Sequence, residues 1–250
     1  MSENGLRGRV FLVTGSGRGL GAALARTAAA AGARVVVHGR PDEKDVERVA
    51  AEIEKAGGEA LPAHADVAAF EGASALVAQT IARWGHLDML VNTVGAFAWK
   101  PLVEVEPPEW RRVVASNLDS VFYMCRLAVP HMREKRFGRI VNFSSVGAAT
   151  QCEPQLGAYS AAKAGVIALS RALALEEARS GITVNVVSPG LIREDGEPSG
   201  SASEGPLGQR IPVGHAGTAA DVVRAVLFFA SPAAEFVTGQ VIEIAGGART

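Results

Sequence analysis

The stretch Val10-Phe11-Leu12-Val13-Thr14-Gly15-Ser16-Gly17-Arg18-Gly19-Leu20-Gly21 decides the fold. Its apolar first half has the continuous character of a strand buried on both faces. The alanine-rich sequence that follows reads as a helix over Leu20–Ala31. Glycines at the junction permit a tight turn and a close approach of the backbone to an anion. The helix N-terminus then offers free N–H groups and the positive end of its dipole. A glycine-rich turn at the first strand–helix junction has the form of a pyrophosphate cradle.

The same alternation continues along the chain. Further strands are expected at Arg34–His38, Ala60–Ala63, Met89–Asn92, Ile140–Phe143, Thr183–Val187 and Gln240–Ile244. Helices are expected at Asp45–Ala56, Glu71–Trp84, Glu109–Glu134, Ala158–Ser180 and Ala219–Ala230. Short β-branched runs between longer helical patterns make βαβ units, whose right-handed crossovers put helices on both faces of a parallel sheet. The fold class is α/β, a Rossmann-type doubly wound parallel sheet of about seven strands. No repeat or linker divides the chain, so residues 1–250 read as a single domain, with a dinucleotide-type cradle at its first turn. Arg193–Arg210 is rich in Gly, Ser, Pro and Glu without periodicity, and is expected to form a substrate lid near residues 191–211.

Composition narrows the function. A formal net charge of -1 argues against a general nucleic-acid or membrane-surface binder. The start, Met1-Ser2-Glu3-Asn4-Gly5, lacks the apolar core of a secretion signal, and no apolar run has the length to span a bilayer. The two cysteines, Cys125 and Cys152, lie far apart outside any CxxC pattern, which suits a reducing cytoplasm. The five histidines show no metal-binding spacing, and no metal is expected.

Dinucleotide folds discriminate at the end of the second strand. A carboxylate there binds the ribose hydroxyls of NAD, whereas arginine accommodates the extra phosphate of NADP. Here the strand ends His38-Gly39-Arg40, with no acid until Asp42, beyond Pro41. Arg18, in the phosphate turn, is within reach of the same phosphate. Two guanidiniums and no carboxylate favour NADP(H); the alternative is a pair of ordinary surface arginines.

Tyr159-Ser160-Ala161-Ala162-Lys163 stacks a phenol and an ammonium on one helical face. The ammonium favours the phenolate and brings the phenol towards the range of general acid–base catalysis. Alone, such a pair is common on solvated helices.

Together these features resemble the short-chain dehydrogenase/reductase family over essentially the whole chain. Thr14-Gly15-x-x-x-Gly19-x-Gly21 is similar to the family's cofactor turn. The resemblance implies cofactor contacts from Gly15, Ser16, Gly17, Arg18, Gly19, Leu20 and Gly21, with Arg40 beyond them. Asp66-Val67 resembles the adenine-side pair, Asn92 to Gly95 the end of the fourth strand, and Ser188-Pro189-Gly190, with Ile192, the turn beside the nicotinamide. Asn117, Ser145, Tyr159 and Lys163 stand where the family places its catalytic residues, with Ser144 an alternative to Ser145. The implied chemistry is hydride transfer between the nicotinamide and a carbonyl or secondary alcohol. In it Tyr159 gives the proton, and Lys163 lowers the tyrosine pKa and holds the ribose. Ser145 orients the carbonyl oxygen, and Asn117 holds a water leading to solvent.

Four features depart from the family pattern. Asn92-Thr93-Val94-Gly95 replaces Asn-Asn-Ala-Gly, and the interval from Ser145 to Tyr159 is one residue longer than the commonest, an insertion in the Gly147–Gly157 loop. Glu194 stands where a threonine commonly follows the Pro-Gly turn, and Ala245 precedes Gly246-Gly247 where an acid is common. The pattern most resembles 3-oxoacyl-[acyl-carrier-protein] reductases, through Ile211-Pro212 and Val237-Thr238-Gly239-Gln240. That implies a 3-oxoacyl thioester on an acyl-carrier protein as substrate. Free small ketones, quinones or cyclic alcohols are the alternative, and a non-catalytic dinucleotide sensor is a third reading. Arg133, Lys135, Arg136 and Arg139 form a basic cluster that either meets an acidic carrier or caps a helix C-terminus. Phe97-Ala98-Trp99 either lines a substrate pocket or packs under the lid. Apolar surface on the two long helices, with the family's two-fold pairing, implies a homotetramer.

Overall fold

The computed structural model describes residues 5–149, 152–193 and 206–248. Its sheet has seven parallel strands: β1 (Val10–Thr14), β2 (Arg34–Gly39), β3 (Glu59–His64), β4 (Met89–Asn92), β5 (Gly138–Phe143), β6 (Ile182–Pro189) and β7 (Val241–Ile244). They lie in the order β3-β2-β1-β4-β5-β6-β7. The described helices are α1 (Gly19–Ala30), α2 (Asp45–Lys55), α3 (Phe70–Trp84), α4 (Pro107–Val114), α5 (Ser120–Lys135), α6 (Val146–Ala149), α7 (Gly157–Glu177), α8 (Pro206–Gln209) and α9 (Ala219–Ala230).

Successive strand residues point to opposite faces, and both faces are covered. Phe11 and Val13 join Val35, Val37, Val91 and Phe229 in the core under α1, α2 and α9. Val10 and Leu12 join Val36, Leu90, Ile140 and Val184 in the core under α3, α5 and α7. This double burial is why the strands read as unbroken apolar runs. Strand order reverses between β1 and β4, and a crevice opens there at the carboxyl ends of the strands.

Most element boundaries fall within two residues of those the sequence predicts, with one substantive exception. The single helix expected over Glu109–Glu134 is three pieces: α4, a π-helical turn at Ala115–Asp119, and α5. The wider turn carries the side chain of Asn117 inward. Its Nδ2 donates to the Val113 carbonyl one turn back (2.9 Å) and to the Ala96 carbonyl of the loop after β4 (2.7 Å). Likewise α7 stops at Glu177 and closes through a 3₁₀ turn at Ala178–Ser180.

A buried polar ladder fixes α7 to the sheet. Asn92 Nδ2 donates to Asn142 Oδ1 (2.8 Å), and Asn142 Nδ2 donates to Ser170 Oγ (2.9 Å). The expected lid falls mainly on residues 194–205, Glu194 among them, and these lie outside the described residues, as do residues 150–151 of the expected insertion. On either side of that segment, Arg193 N–H donates to the Gly217 carbonyl (2.9 Å) and Val213 N–H to the Gly246 carbonyl (3.1 Å). Among the described residues no helix is long and apolar enough to cross a membrane, and no three side chains group as metal ligands.

Candidate active site

The turn after β1 is closed by backbone geometry. Gly15 and Gly19 take left-handed φ values of 66° and 54°, which side chains disfavour. A Cβ on Gly21 would run into the Gly15 carbonyl oxygen, whereas one on Gly19 would point into open space. No side chain caps the first turn of α1, so its N–H groups remain available to an anion. These features fit a pyrophosphate approached closely by backbone. Ser16 is wholly buried; its Oγ donates to the Val13 carbonyl (2.7 Å) and accepts from His38 N–H (2.8 Å). That hydroxyl, together with the Ser16 N–H that donates to the His38 carbonyl (2.7 Å), locks the turn to β2, so Ser16 serves to hold the turn in shape.

His38 was not singled out from the sequence, although a histidine inside a valine strand was the available signal. Its Nδ1 accepts from Gly15 N–H (3.1 Å), so the ring proton sits on Nε2, 3.1 Å from the Ala65 carbonyl. Burial pushes its pKa down to about 4, with the Ala65 bond opposing the shift. A neutral imidazole thus ties the phosphate turn to the chain after β3.

Beyond β2, Arg40 and Arg18 are exposed at 61% and 79%, as surface guanidiniums. A carboxylate does accompany them. Glu43, one residue beyond Asp42, lies 3.4 Å from Arg40 Nε and 4.0 Å from Arg18 Nη2. This corrects the expectation of two arginines without an acid: a turn in the chain, invisible to linear spacing, folds Glu43 back. Asp66 is exposed with Oδ1 accepting from Ala68 N–H (3.0 Å), while Val67 points into the core.

At the other end of the crevice, Tyr159 and Lys163 share one face of α7. Lys163 is 3% exposed, and its Nζ donates to the Phe143 carbonyl (2.9 Å). Burial pushes its pKa down to about 8. Burial also raises the Tyr159 pKa, with a hydrogen bond to Ser145 opposing the shift. The sequence led us to expect a lowered phenol; in the structure desolvation outweighs any pull from the ammonium, which is aimed at Phe143. Ser144 is turned inward, its Oγ donating to the Lys163 carbonyl (3.0 Å), so Ser145 is the serine beside the phenol. Asn117 Oδ1 is buried without a hydrogen-bond partner among the described residues. It lies next to Gly95, where a Cβ would sit 2.5 Å from that oxygen and 3.4 Å from Lys163 Nζ.

The Asn92 side chain belongs to the ladder with Asn142, at the end of β4. Gly190 packs so closely on Ala245 that a Cβ would lie 2.9 Å from the alanine Cβ, which accounts for a small residue there. Ile192 bridges to Gly217. Phe97 is 62% exposed with its ring centroid 4.6 Å from that of Tyr159, while Ala98 packs beneath in the cluster with Val113 and Tyr159.

The basic cluster is dispersed. Arg133 pairs with the buried Glu177, Arg136 donates to the Arg179 carbonyl (3.0 Å), and Arg139 is buried with its guanidinium over the Phe137 ring. The group lies before and at the start of β5, whereas Ser145 follows its other end. Helix ending and packing explain these residues.

Comparison with known proteins matches nearly the whole chain. The family described as Enoyl-(Acyl carrier protein) reductase matches residues 15–249. The chain is 37% identical to 3beta-hydroxysteroid dehydrogenase 1 of Eggerthella lenta, over 97% of this chain and 94% of that protein. It is 37% identical to a 3-oxoacyl-[acyl-carrier-protein] reductase of Synechocystis, over 97% of each. A solved dehydrogenase/reductase from Sinorhizobium meliloti superposes with a TM-score of 0.90 at 33% identity, over 99% of this chain and 98% of that one.

The buried His38 gives a pH test. Its folded pKa lies below the unfolded value, so the unfolded chain takes up the proton first and stability falls as pH drops. The contribution, ~3 kcal/mol, is fully present above pH ~6.5 and is lost on approach to pH 4. His64, whose pKa is raised chiefly by its bond to the Arg40 carbonyl, acts with the opposite sign. Urea unfolding of wild type and of His38→Gln, compared between pH 7.5 and 4.5, should show a shallower decline in the variant. Identical slopes would rule out a neutral, proton-resisting His38.

Proposed function

The chain belongs to the short-chain dehydrogenase/reductase family, and we propose that it is an NADP(H)-dependent reductase whose first candidate substrates are 3-oxoacyl thioesters. At the coarser level it is an oxidoreductase of carbonyls and alcohols, similar to 3-oxoacyl-[acyl-carrier-protein] reductases. One observation carries the proposal: Ser145 bonds the Tyr159 hydroxyl while Lys163 and Asn117 converge over Gly95.

The nicotinamide cofactor, when bound, supplies or accepts the hydride. The turn from Gly15 to Gly21 would hold its pyrophosphate, Arg18 and Arg40 its 2′-phosphate, and Asp66-Val67 its adenine side. Lys163 would hold the nicotinamide ribose, with Pro189, Gly190 and Ile192 beside the ring. Negative charge develops on the carbonyl oxygen during reduction and needs donors already in place. Burial keeps Tyr159 a neutral phenol, the acid form that reduction requires, and its Oη gives the proton. The Ser145 hydroxyl donates to the same oxygen. Lys163 then stabilises the phenolate, and the unpartnered Asn117 Oδ1 accepts from a water that returns the proton.

A second reading, reduction of free ketones, quinones or cyclic alcohols, is favoured by the exposed Phe97 ring set against Tyr159. The dispersal of the basic cluster also removes one argument for an acidic carrier. A non-catalytic sensor would have no need of the proton donor. We further propose a single catalytic domain with the segment near 191–211 as its lid, a cytoplasmic location and a homotetramer. Phe122 on α5 and Leu175 on α7 are 46% and 82% exposed, suited to burial by another subunit.

Tyr159→Phe should lower turnover by ~10²–10⁴-fold while NADPH affinity barely changes. The assay should include both acyl thioesters and free ketones, whose relative kcat/KM separates the two readings. Near-wild-type turnover on a confirmed substrate defeats the acid role. Calorimetric titration should show tighter binding of NADPH than NADH, reversed by Arg40→Asp; equal wild-type affinities would mean the arginines serve elsewhere. Light scattering at micromolar concentration should give four subunits, or at least two, and a monomer would refute the assembly.

A further inference from the structure

The loop after β2 closes on itself. Glu43 N–H donates to the Arg40 carbonyl (3.0 Å), and Arg40 N–H donates to Glu43 Oε2 (3.2 Å). This reciprocal pairing lays the Glu43 carboxylate over the end of β2. Gly39 leaves the room, since a Cβ there would lie 2.7 Å from Glu43 Oε2 and 2.5 Å from Val46 Cγ2. The other oxygen, Oε1, faces Arg40 Nε at 3.4 Å and Arg18 Nη2 at 4.0 Å. Glu43 is the less exposed member at 24%, whereas Asp42, 3.6 Å from Arg40 Nε, is 75% exposed. From the other side, His64 Nδ1 lies 2.9 Å from the Arg40 carbonyl and fixes the loop to the end of β3.

One carboxylate thus stands against both guanidiniums that, on the reading above, meet the 2′-phosphate. A phosphate bound there must share those donors with it, at a like-charge separation that weakens binding. Both Glu43 oxygens are already engaged by Arg40 or Arg18, which commits the side chain to the arginines and leaves it poorly placed to accept from ribose hydroxyls. NAD(H), which carries a hydroxyl at that position, makes no such demand on the guanidiniums. We propose that Glu43 is a specificity-determining residue, an internal counter-ion of Arg18 and Arg40 that competes with the 2′-phosphate and so limits the preference for NADP(H) over NAD(H). Specificity is here a difference of two affinities, one of which an internal anion lowers.

The inference rests on the assignment of Arg18 and Arg40 to the 2′-phosphate, and a binding experiment separates the two. Wild type, Glu43→Gln and Arg40→Gln are titrated with NADPH and with NADH by calorimetry. Glutamine keeps the shape and an acceptor for Arg40 N–H while removing the charge. Glu43→Gln should bind NADPH roughly three- to fivefold more tightly, as expected from releasing exposed ion pairs. NADH affinity should stay within about twofold, and the NADPH gain should shrink as salt is added. Unchanged NADPH affinity in Glu43→Gln, or a selective loss of NADH binding that marks Glu43 as a ribose ligand, overturns the counter-ion role. If Arg40→Gln leaves NADPH affinity unaltered, the arginine assignment itself falls; if it weakens NADPH while Glu43→Gln changes nothing, only the role of Glu43 falls.

Discussion

The end of the crevice that holds Tyr159 is arranged around one buried ammonium. Lys163 is 3% exposed, and removing its charge from water favours the neutral amine by roughly 3 kcal/mol on the scale of its shift to a pKa of about 8. A buried cation requires a fixed acceptor, and the Phe143 carbonyl at the end of β5 supplies it. Much of the neighbourhood follows from that contact. Ser144 binds the Lys163 main chain, the π turn brings Asn117 close by, and Gly95 lacks a side chain where a Cβ would clash with Asn117 Oδ1. The Asn92–Asn142–Ser170 ladder holds α7 at the height on β5 that the contact demands.

The phosphate end uses the opposite device. The parts that would touch a pyrophosphate are backbone N–H groups, and the side chains nearby are spent on holding that backbone still. Ser16 and His38 bond to each other's strands and to the turn. A charged imidazole there would repel no anion, yet it would lose the acceptor that Gly15 N–H needs. Neutrality of His38 is therefore a structural requirement of the turn, and burial of the ring, which lowers its pKa to about 4, secures it.

The architecture was legible from alternating apolar runs because parallel strands buried on both faces leave an unmistakable pattern in Val10–Val13 and Val35–Val37. The site was legible where function demands residue types at short range: the glycines of the turn, and Tyr159 with Lys163 one helical turn apart. What linear reading missed depends on contacts between distant segments. The π turn leaves no periodicity signal, since the five residues Ala115–Asp119 continue the surrounding helix pattern. His38 looked like any strand residue until its partners, Gly15 and Ala65, were placed beside it. Asn92 matched a cofactor motif, yet its amide is consumed by the core. The arginines of the supposed basic cluster adjoin in sequence but diverge in space, because a helix ends and a strand begins among them.

These two ends place different constraints on substrate and cofactor. At the Tyr159 end the one ammonium is buried and fixed by its bond to the Phe143 carbonyl. At the adenosine end the charges of Arg18, Arg40 and Asp42 are exposed and only Glu43 is partly sheltered. Exposed pairs are individually weak and screened by salt. On the proposed reading, cofactor choice is the adjustable property, poised by a few surface charges around Glu43, while the proposed proton donor is packed with α7 against β5. The Phe97 ring lies between these regimes, exposed yet seated on Tyr159. An apolar group meeting that ring would be held by area and shape, independently of charge.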